Sequence, residues 1–174
     1  AALSRLRSLV DVPVVGVIAP GARALVRATT SGRVGVIGTV GTIGSGAYQR
    51  AVASIGAEVD LTCAACPGFV EFVERDETRS DQVHVLAERL LAPIIDASVD
   101  TLLLGCTHYP FLARTISDVV GRDVVLVSSA DETAFEVRAL LEGPGRPAAR
   151  TAGGAPPRHR FLSSGDVDWF RRLG

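Results

Sequence analysis

The stretch Thr101-Leu102-Leu103-Leu104-Gly105-Cys106-Thr107-His108-Tyr109-Pro110 decides the fold. Its first four residues show no apolar–polar alternation, the pattern of a short strand buried on both faces. Pro110 is suited to a first helical turn, where its missing N–H costs nothing. A fully buried strand that runs into a helix is the repeating unit of a parallel sheet covered on two sides.

Working outward, the same unit recurs. Val12 to Ile18 (VPVVGVI), Arg33 to Thr39 (RVGVIGT), Glu58 to Ala64 (EVDLTCA) and Asp123 to Val127 (DVVLV) read as further strands. Helices fall between them. Pro20 occupies a first helical position and Gly32 a stop. Ser45 is placed to cap SGAYQRAVASIG, which Gly56 closes. Ser80 opens an amphipathic segment with Val83, Leu86, Leu90 and Ile94 at helical spacing. Ser129 and Glu132 form a capping box before DETAFEVRALLE, which ends at Gly143-Pro144. Ser164 or Asp166 caps a terminal helix. The class is α/β, a doubly wound and mostly parallel sheet. Gly143 to Arg160 holds four of the nine prolines and reads as a flexible loop. The opening AALSRLRSLVDVP reads as the interior of a helix, so the N-terminus is expected to be truncated.

Composition narrows the chemistry. The chain has 174 residues, 47% of them hydrophobic, enough for a globular core. A formal net charge of −1 gives no general attraction to nucleic acid or to anionic membranes. All 18 basic residues are Arg. Without Lys, this chain has neither a Schiff-base lysine for pyridoxal phosphate nor a phosphate-binding loop lysine. Three Cys argue against a disulfide scaffold and for a reducing cytoplasm. The longest charge-free stretch, Val34 to Gln49, carries five glycines and is too short to span a membrane.

Three segments can carry chemistry. Cys106 follows the end of a buried strand, where parallel sheets bind ligands. An ordinary thiol is mostly protonated at neutral pH and needs help to act as a base. The helix beginning at Pro110 and the nearby His108 can supply it. A buried cysteine with a satisfied histidine is the plain packing alternative. The second segment, Gly38 to Gly46 (GTVGTIGSG), is a glycine-rich strand-to-helix turn. Backbone N–H groups and the hydroxyls of Thr39, Thr42 and Ser45 suit a phosphate or a carboxylate there. Close packing around glycine is the alternative. It is not a dinucleotide fingerprint, because Gln49 stands where a small residue is required. The third, Cys63-Ala64-Ala65-Cys66, is half a zinc site without a second cysteine pair, and two small buried residues are the better reading. Glu71 and Glu74 lie one helical turn apart, and either can face a cleft.

LGCTHYPFL (Leu104 to Leu112), VPVVGVIAPGARALV (Val12 to Val26), GRVGVIGTVGTIGSGAYQRAV (Gly32 to Val52), CPGFVEFVE (Cys66 to Glu74), VSSADETA (Val127 to Ala134) and FLSSGD near the end occur in one order. Together they resemble the glutamate racemases of the aspartate/glutamate racemase superfamily. The resemblance implies two similar Rossmann-like domains with a cleft between them and no cofactor or metal. It implies two cysteines facing each other across a glutamate substrate, with Cys106 matching one of them. Thr107 and His108 then bind or orient substrate, Thr39 and Thr42 hold its carboxylate, and Glu74 supports His108. The other cysteine belongs to a Cys-Asn-Thr segment that this sequence lacks, and Cys63 and Cys66 do not stand in that context. The expected division is residues 19–122 as the domain carrying Cys106, with 1–18 and 123–174 as the remainder of the other, discontinuous domain. The resemblance further implies a cytoplasmic homodimer supplying D-glutamate for peptidoglycan. These 174 residues alone are expected to be inactive. Another racemase of the superfamily, or a non-catalytic ligand-binding module, is the alternative reading.

Overall fold

A computed structural model describes residues 2–143 and 160–173. In chain order the elements are α1 (Ala2–Arg7), α2 (Ile18–Ala28), β1 (Arg33–Gly38), α3 (Val40–Gly44), α4 (Ala47–Ile55), β2 (Asp60–Ala65) and α5 (Phe69–Glu74). They continue with α6 (Asp81–Asp96), β3 (Thr101–Leu104), a 3-10 turn (Tyr109–Leu112), α7 (Ala113–Val120), β4 (Val125–Ser128), α8 (Ser129–Glu142) and α9 (Val167–Leu173).

The four strands pair in the order β2-β1-β3-β4, all parallel. The period-two geometry of a strand divides the core. Val34 and Val36 of β1, with Leu103 of β3, pack against Leu25 of α2 and Tyr48 and Val52 of α4. Ile37, Leu102 and Leu104 point the other way, onto Phe69 and Val73 of α5, Leu91 and Ile94 of α6, and Ile116 of α7. Both faces are therefore covered, which is why these strands carry no polar alternation. The expected doubly wound α/β class is the observed one.

Several boundaries differ from the sequence reading. Val12 to Ile18 is not a strand: Val12 and Val17 are exposed, and helix α2 already begins at Ile18. Pro13 withholds an N–H, and a β-rich run becomes a strand only beside a partner; among the described residues none lies there. Pro20 is the third residue of α2 rather than the first, still within the turn whose N–H groups lack helical partners. Ser45 ends α3, and Gly46, with φ of 65°, precedes α4. The cap of α8 is Ser128, whose hydroxyl accepts from the Asp131 N–H, so the expected capping box lies one residue early. Pro110 enters a 3-10 turn, and the helix proper begins at Ala113. Of the two candidate caps for α9, Asp166 is the one used, accepting from Asp168 and Trp169 N–H. The expected flexible loop, Gly143 to Arg160, lies outside the described residues except for its two end positions.

β4 continues the ladder on β3 from Thr101↔Val125 to Leu104↔Ser128, and α8 packs on α2. A strand apolar enough to complete the sheet edge is recruited by hydrogen bonding, and β4 closes that edge.

The amino end of the sheet is fastened by Asp100. Thr29 and Thr101 hydroxyls donate to its Oδ1 at 2.6 and 2.9 Å. The N–H groups of Thr30 and Ser31 donate to Oδ2 at 2.8 and 2.6 Å. Burial pushes this carboxyl upward, but the hydrogen bonds from Thr29, Ser31 and Thr30 outweigh it and hold the group well below the usual carboxylate range. A lowered carboxyl contributes stability that is complete above the unfolded value, about 4, and fades as pH falls through the folded value. Asp100→Asn should therefore destabilise the fold by roughly 1–2 kcal/mol at neutral pH, because hydrogen bonds to a charged acceptor are lost. The difference should shrink below about pH 4. Urea unfolding from pH 7 to pH 3 measures it, and a gap that is constant with pH would refute the assignment.

Candidate active site

The strand order places a reversal between β1 and β3. From β1 the chain passes through α3 and α4 to β2, over the Tyr48 face; from β3 it passes through α7 to β4, over the opposite face. Departing in opposite directions, the two connections leave a crevice at the carboxyl ends of adjacent strands. Ile37 pairs with Leu104 in register, so the turn carrying Thr39 and Thr42 lies beside the turn carrying Cys106, Thr107 and His108.

Gly105 sets how closely the turns approach. Its N–H donates to the Ile37 carbonyl at 2.8 Å, extending the ladder one residue past β3. A Cβ at this position would meet that carbonyl oxygen at 2.8 Å and the Tyr48 ring at 2.9 Å. Beneath it, Ser129 Oγ donates to the Leu104 carbonyl at 2.8 Å. Burial raises the pKa of the Tyr48 hydroxyl, and the Ser129 side chain lowers it by less.

Cys106 is half-buried, with Sγ 3.9 Å from His108 Nδ1. Thr107 Oγ1 lies 3.5 Å from the same nitrogen. The other ring nitrogen, Nε2, is 2.7 Å from Glu74 Oε1. A carboxylate accepts, so this contact selects the tautomer with hydrogen on Nε2 and leaves the Nδ1 lone pair toward Cys106 and Thr107. Trp169 Nε1 donates to the second Glu74 oxygen at 2.6 Å. The hydrogen bonds from Trp169 and then His108 hold the Glu74 carboxyl below its ordinary range. Of the two acidic candidates on α5, Glu74 is thus the one that meets the histidine.

Gly38 to Gly46 is more ordered than an open glycine turn. Thr39 Oγ1 accepts from the Thr42 N–H at 3.3 Å, capping α3, and lies 3.0 Å from Thr42 Oγ1. Ser45 is turned back onto its own chain, donating to the Thr42 carbonyl at 2.7 Å. Of the three hydroxyls, the Thr39–Thr42 pair is the one at the crevice.

The remaining cysteines are unpaired with each other and lie off the crevice's chemistry. Cys63 is on β2, and burial raises its thiol. Cys66 is buried, and burial pushes its thiol up to about 12, which removes it from proton transfer at neutral pH. Its carbonyl accepts from the buried Tyr109 hydroxyl at 3.0 Å, which ties the Cys106 turn to the end of β2. Among the described residues, no three His, Cys, Asp or Glu side chains gather to hold a metal ion. No helix among them is long and apolar enough to cross a membrane.

Sequence reasoning missed Trp169, which lies 95 positions from Glu74 on a different helix. It also read Ser129 only as a cap, although the adjacent pair Ser128-Ser129 leaves one hydroxyl free for a second task.

Residues 1–136 match the family described as Asp/Glu/Hydantoin racemase. A glutamate racemase of Acidothermus cellulolyticus is 54% identical over 174 residues, covering 100% of this chain and 65% of its own length. One of Mycobacterium ulcerans is 48% identical, covering 99% and 63%. In three dimensions the chain is similar to an isoform of glutamate racemase from Bacillus anthracis, with a TM-score of 0.88 at 39% identity, covering 99% of this chain and 64% of that one. It is also similar to the Francisella tularensis glutamate racemase in complex with D-glutamate, with a TM-score of 0.69 at 28% identity, covering 75% and 48%. The chain thus spans less than two thirds of the length of these relatives.

Gly105→Ala tests the packing that forms the crevice. The new methyl meets backbone at the Ile37 carbonyl, which cannot swing away as a side chain can. We expect a loss of roughly 1–3 kcal/mol, as for other overpacked sites. An unchanged thermal unfolding midpoint would show that the two turns are not held in contact.

Proposed function

The chain belongs to the Asp/Glu/Hydantoin racemase family, and from that premise we propose that the whole protein is a glutamate racemase. It interconverts L- and D-glutamate by proton transfer between two cysteines, without a cofactor. The observation that carries this reading is the grouping of Cys106, Thr107 and His108 with Glu74, beside the Thr39–Thr42 hydroxyl pair at one strand reversal.

The chemistry accounts for each part. Racemisation breaks the Cα–H bond on one face of the substrate and forms it on the other. Cys106 serves as thiolate in one direction, taking the α-proton onto sulfur. In the other direction it serves as thiol, giving a proton to the carbanion. His108, with its lone pair on Nδ1, stands where it can exchange a proton with that sulfur or with the substrate. The opposing thiol comes from a part of the protein outside these 174 residues. A carbanion beside a carboxylate is costly, and the hydroxyls of Thr39, Thr42 and Thr107 are placed to donate to the developing charge. Glu74 holds His108 in the tautomer this requires.

The exposed Phe135, Leu140 and Leu141 of α8 and Leu6 and Leu9 near the start are suited to lie against that remaining portion. The whole protein is read as a cytoplasmic homodimer whose D-glutamate enters peptidoglycan.

In the whole protein, Cys106→Ser should lower racemisation in both directions by at least about a thousandfold, since a hydroxyl is far too weak a base to replace a thiolate. With one thiol left, α-proton exchange in heavy water should persist for one enantiomer of glutamate and not the other. Proton NMR of each enantiomer reads this, and equal exchange of both would exclude Cys106 as one of two bases.

A further inference from the structure

We propose that Trp169 is a positioning residue for His108, acting through Glu74. This rests on the proposed role of Cys106 and His108, and adds to it a residue from the C-terminal helix.

Glu74 is the last residue of a short helix, α5, with its side chain partly exposed. A glutamate in that situation samples several rotamers, and fixing it costs conformational entropy. Here each carboxylate oxygen has its own donor: Oε1 takes the His108 ring and Oε2 takes the Trp169 indole, at 2.7 and 2.6 Å. The indole N–H donates only, so it recognises the carboxylate as an acceptor and leaves the other oxygen to receive the hydrogen on His108 Nε2. Trp169 is itself held twice. Asp166 Oδ1 accepts from its backbone N–H at 2.9 Å, and the Arg172 guanidinium lies 5.1 Å from the ring centre. Helix α9 thereby fixes the carboxylate, the carboxylate fixes the imidazole tautomer, and the Nδ1 lone pair stays directed at Cys106.

A helix that merely packed near the site would not act through one carboxylate. In the whole protein, Trp169→Phe keeps a ring and removes the donor. It should lower turnover by roughly tenfold to a hundredfold, as expected when a supporting hydrogen bond is lost and a reacting group drifts. In a Glu74→Gln background the same change should cost less than about twofold, because its route of action is already gone. Equal fold-losses in the two backgrounds would overturn the proposal. The nitrogen chemical shifts of labelled His108 provide a second readout. The wild-type protein should show hydrogen on Nε2, and Trp169→Phe should shift the ring toward the other tautomer; unchanged shifts would overturn the proposal independently. If Trp169→Phe does not fold, Asp166→Ala retains the indole and loosens only its helix. It should give the same shift in smaller measure, and no shift would count against the proposal. The nitrogen shifts need no turnover. A whole protein that racemises no glutamate therefore overturns the proposed function, while the Trp169 assignment is judged on His108 alone.

Discussion

The hydrogen bond from the Gly105 N–H to the Ile37 carbonyl is the contact on which the rest of this structure depends. It carries the β1–β3 ladder past the end of β3 and forces two polypeptide turns to lie side by side. The absence of a side chain at 105 makes the approach possible, and the Tyr48 ring fills the space beneath. Everything at the crevice inherits its position from that contact, because Thr39 is one residue beyond β1 and Cys106 is one beyond Gly105. A parallel sheet makes such a place only where neighbouring strands send their connections over opposite faces, and in this order of strands that happens between β1 and β3.

The two ends of the sheet are built for different purposes. At the amino end Asp100 accepts from four residues and gathers the turn before β1 onto the start of β3. Hydrogen bonds there are satisfied within the fold. At the carboxyl end the donors and acceptors are only partly satisfied by one another: Cys106 Sγ and Thr107 Oγ1 stand 3.9 and 3.5 Å from His108 Nδ1 rather than at close hydrogen-bond distance. Under the proposed function, such unused capacity is what a charged, polar substrate would take up. The backbone beneath the Cys106 turn is tightly held, and the Glu74 bridge that orients the histidine is short; the looser contacts are those His108 makes with Cys106 and Thr107.

How far the sequence could be read followed from the range of the forces involved. Buried strands such as TLLL and RVGVIG announce themselves, because burial on two faces demands an unbroken apolar run. Helix caps were legible to within a residue: both Ser128 and Ser129 could have capped α8, and only the carbonyl of Leu104, brought close by folding, decides which hydroxyl is occupied elsewhere. Val12 to Ile18 misled because strand propensity describes a surface that fits a sheet, not the presence of a neighbour to pair with. The candidate residues Cys106, Thr107 and His108 were visible because they are contiguous. The choice of Glu74 over Glu71 and the arrival of Trp169 depend on where α5 and α9 lie in space, which no local pattern encodes.

Trp169 is the only tryptophan in these 174 residues, and its indole nitrogen touches the carboxylate that orients the histidine. The chain therefore carries a natural optical probe at the edge of its own crevice. Changes in the intensity or wavelength of its emission report the local environment of a single contact rather than an average over many. Ligand entry, helix docking and the grip on Glu74 become observable by light, with no label attached.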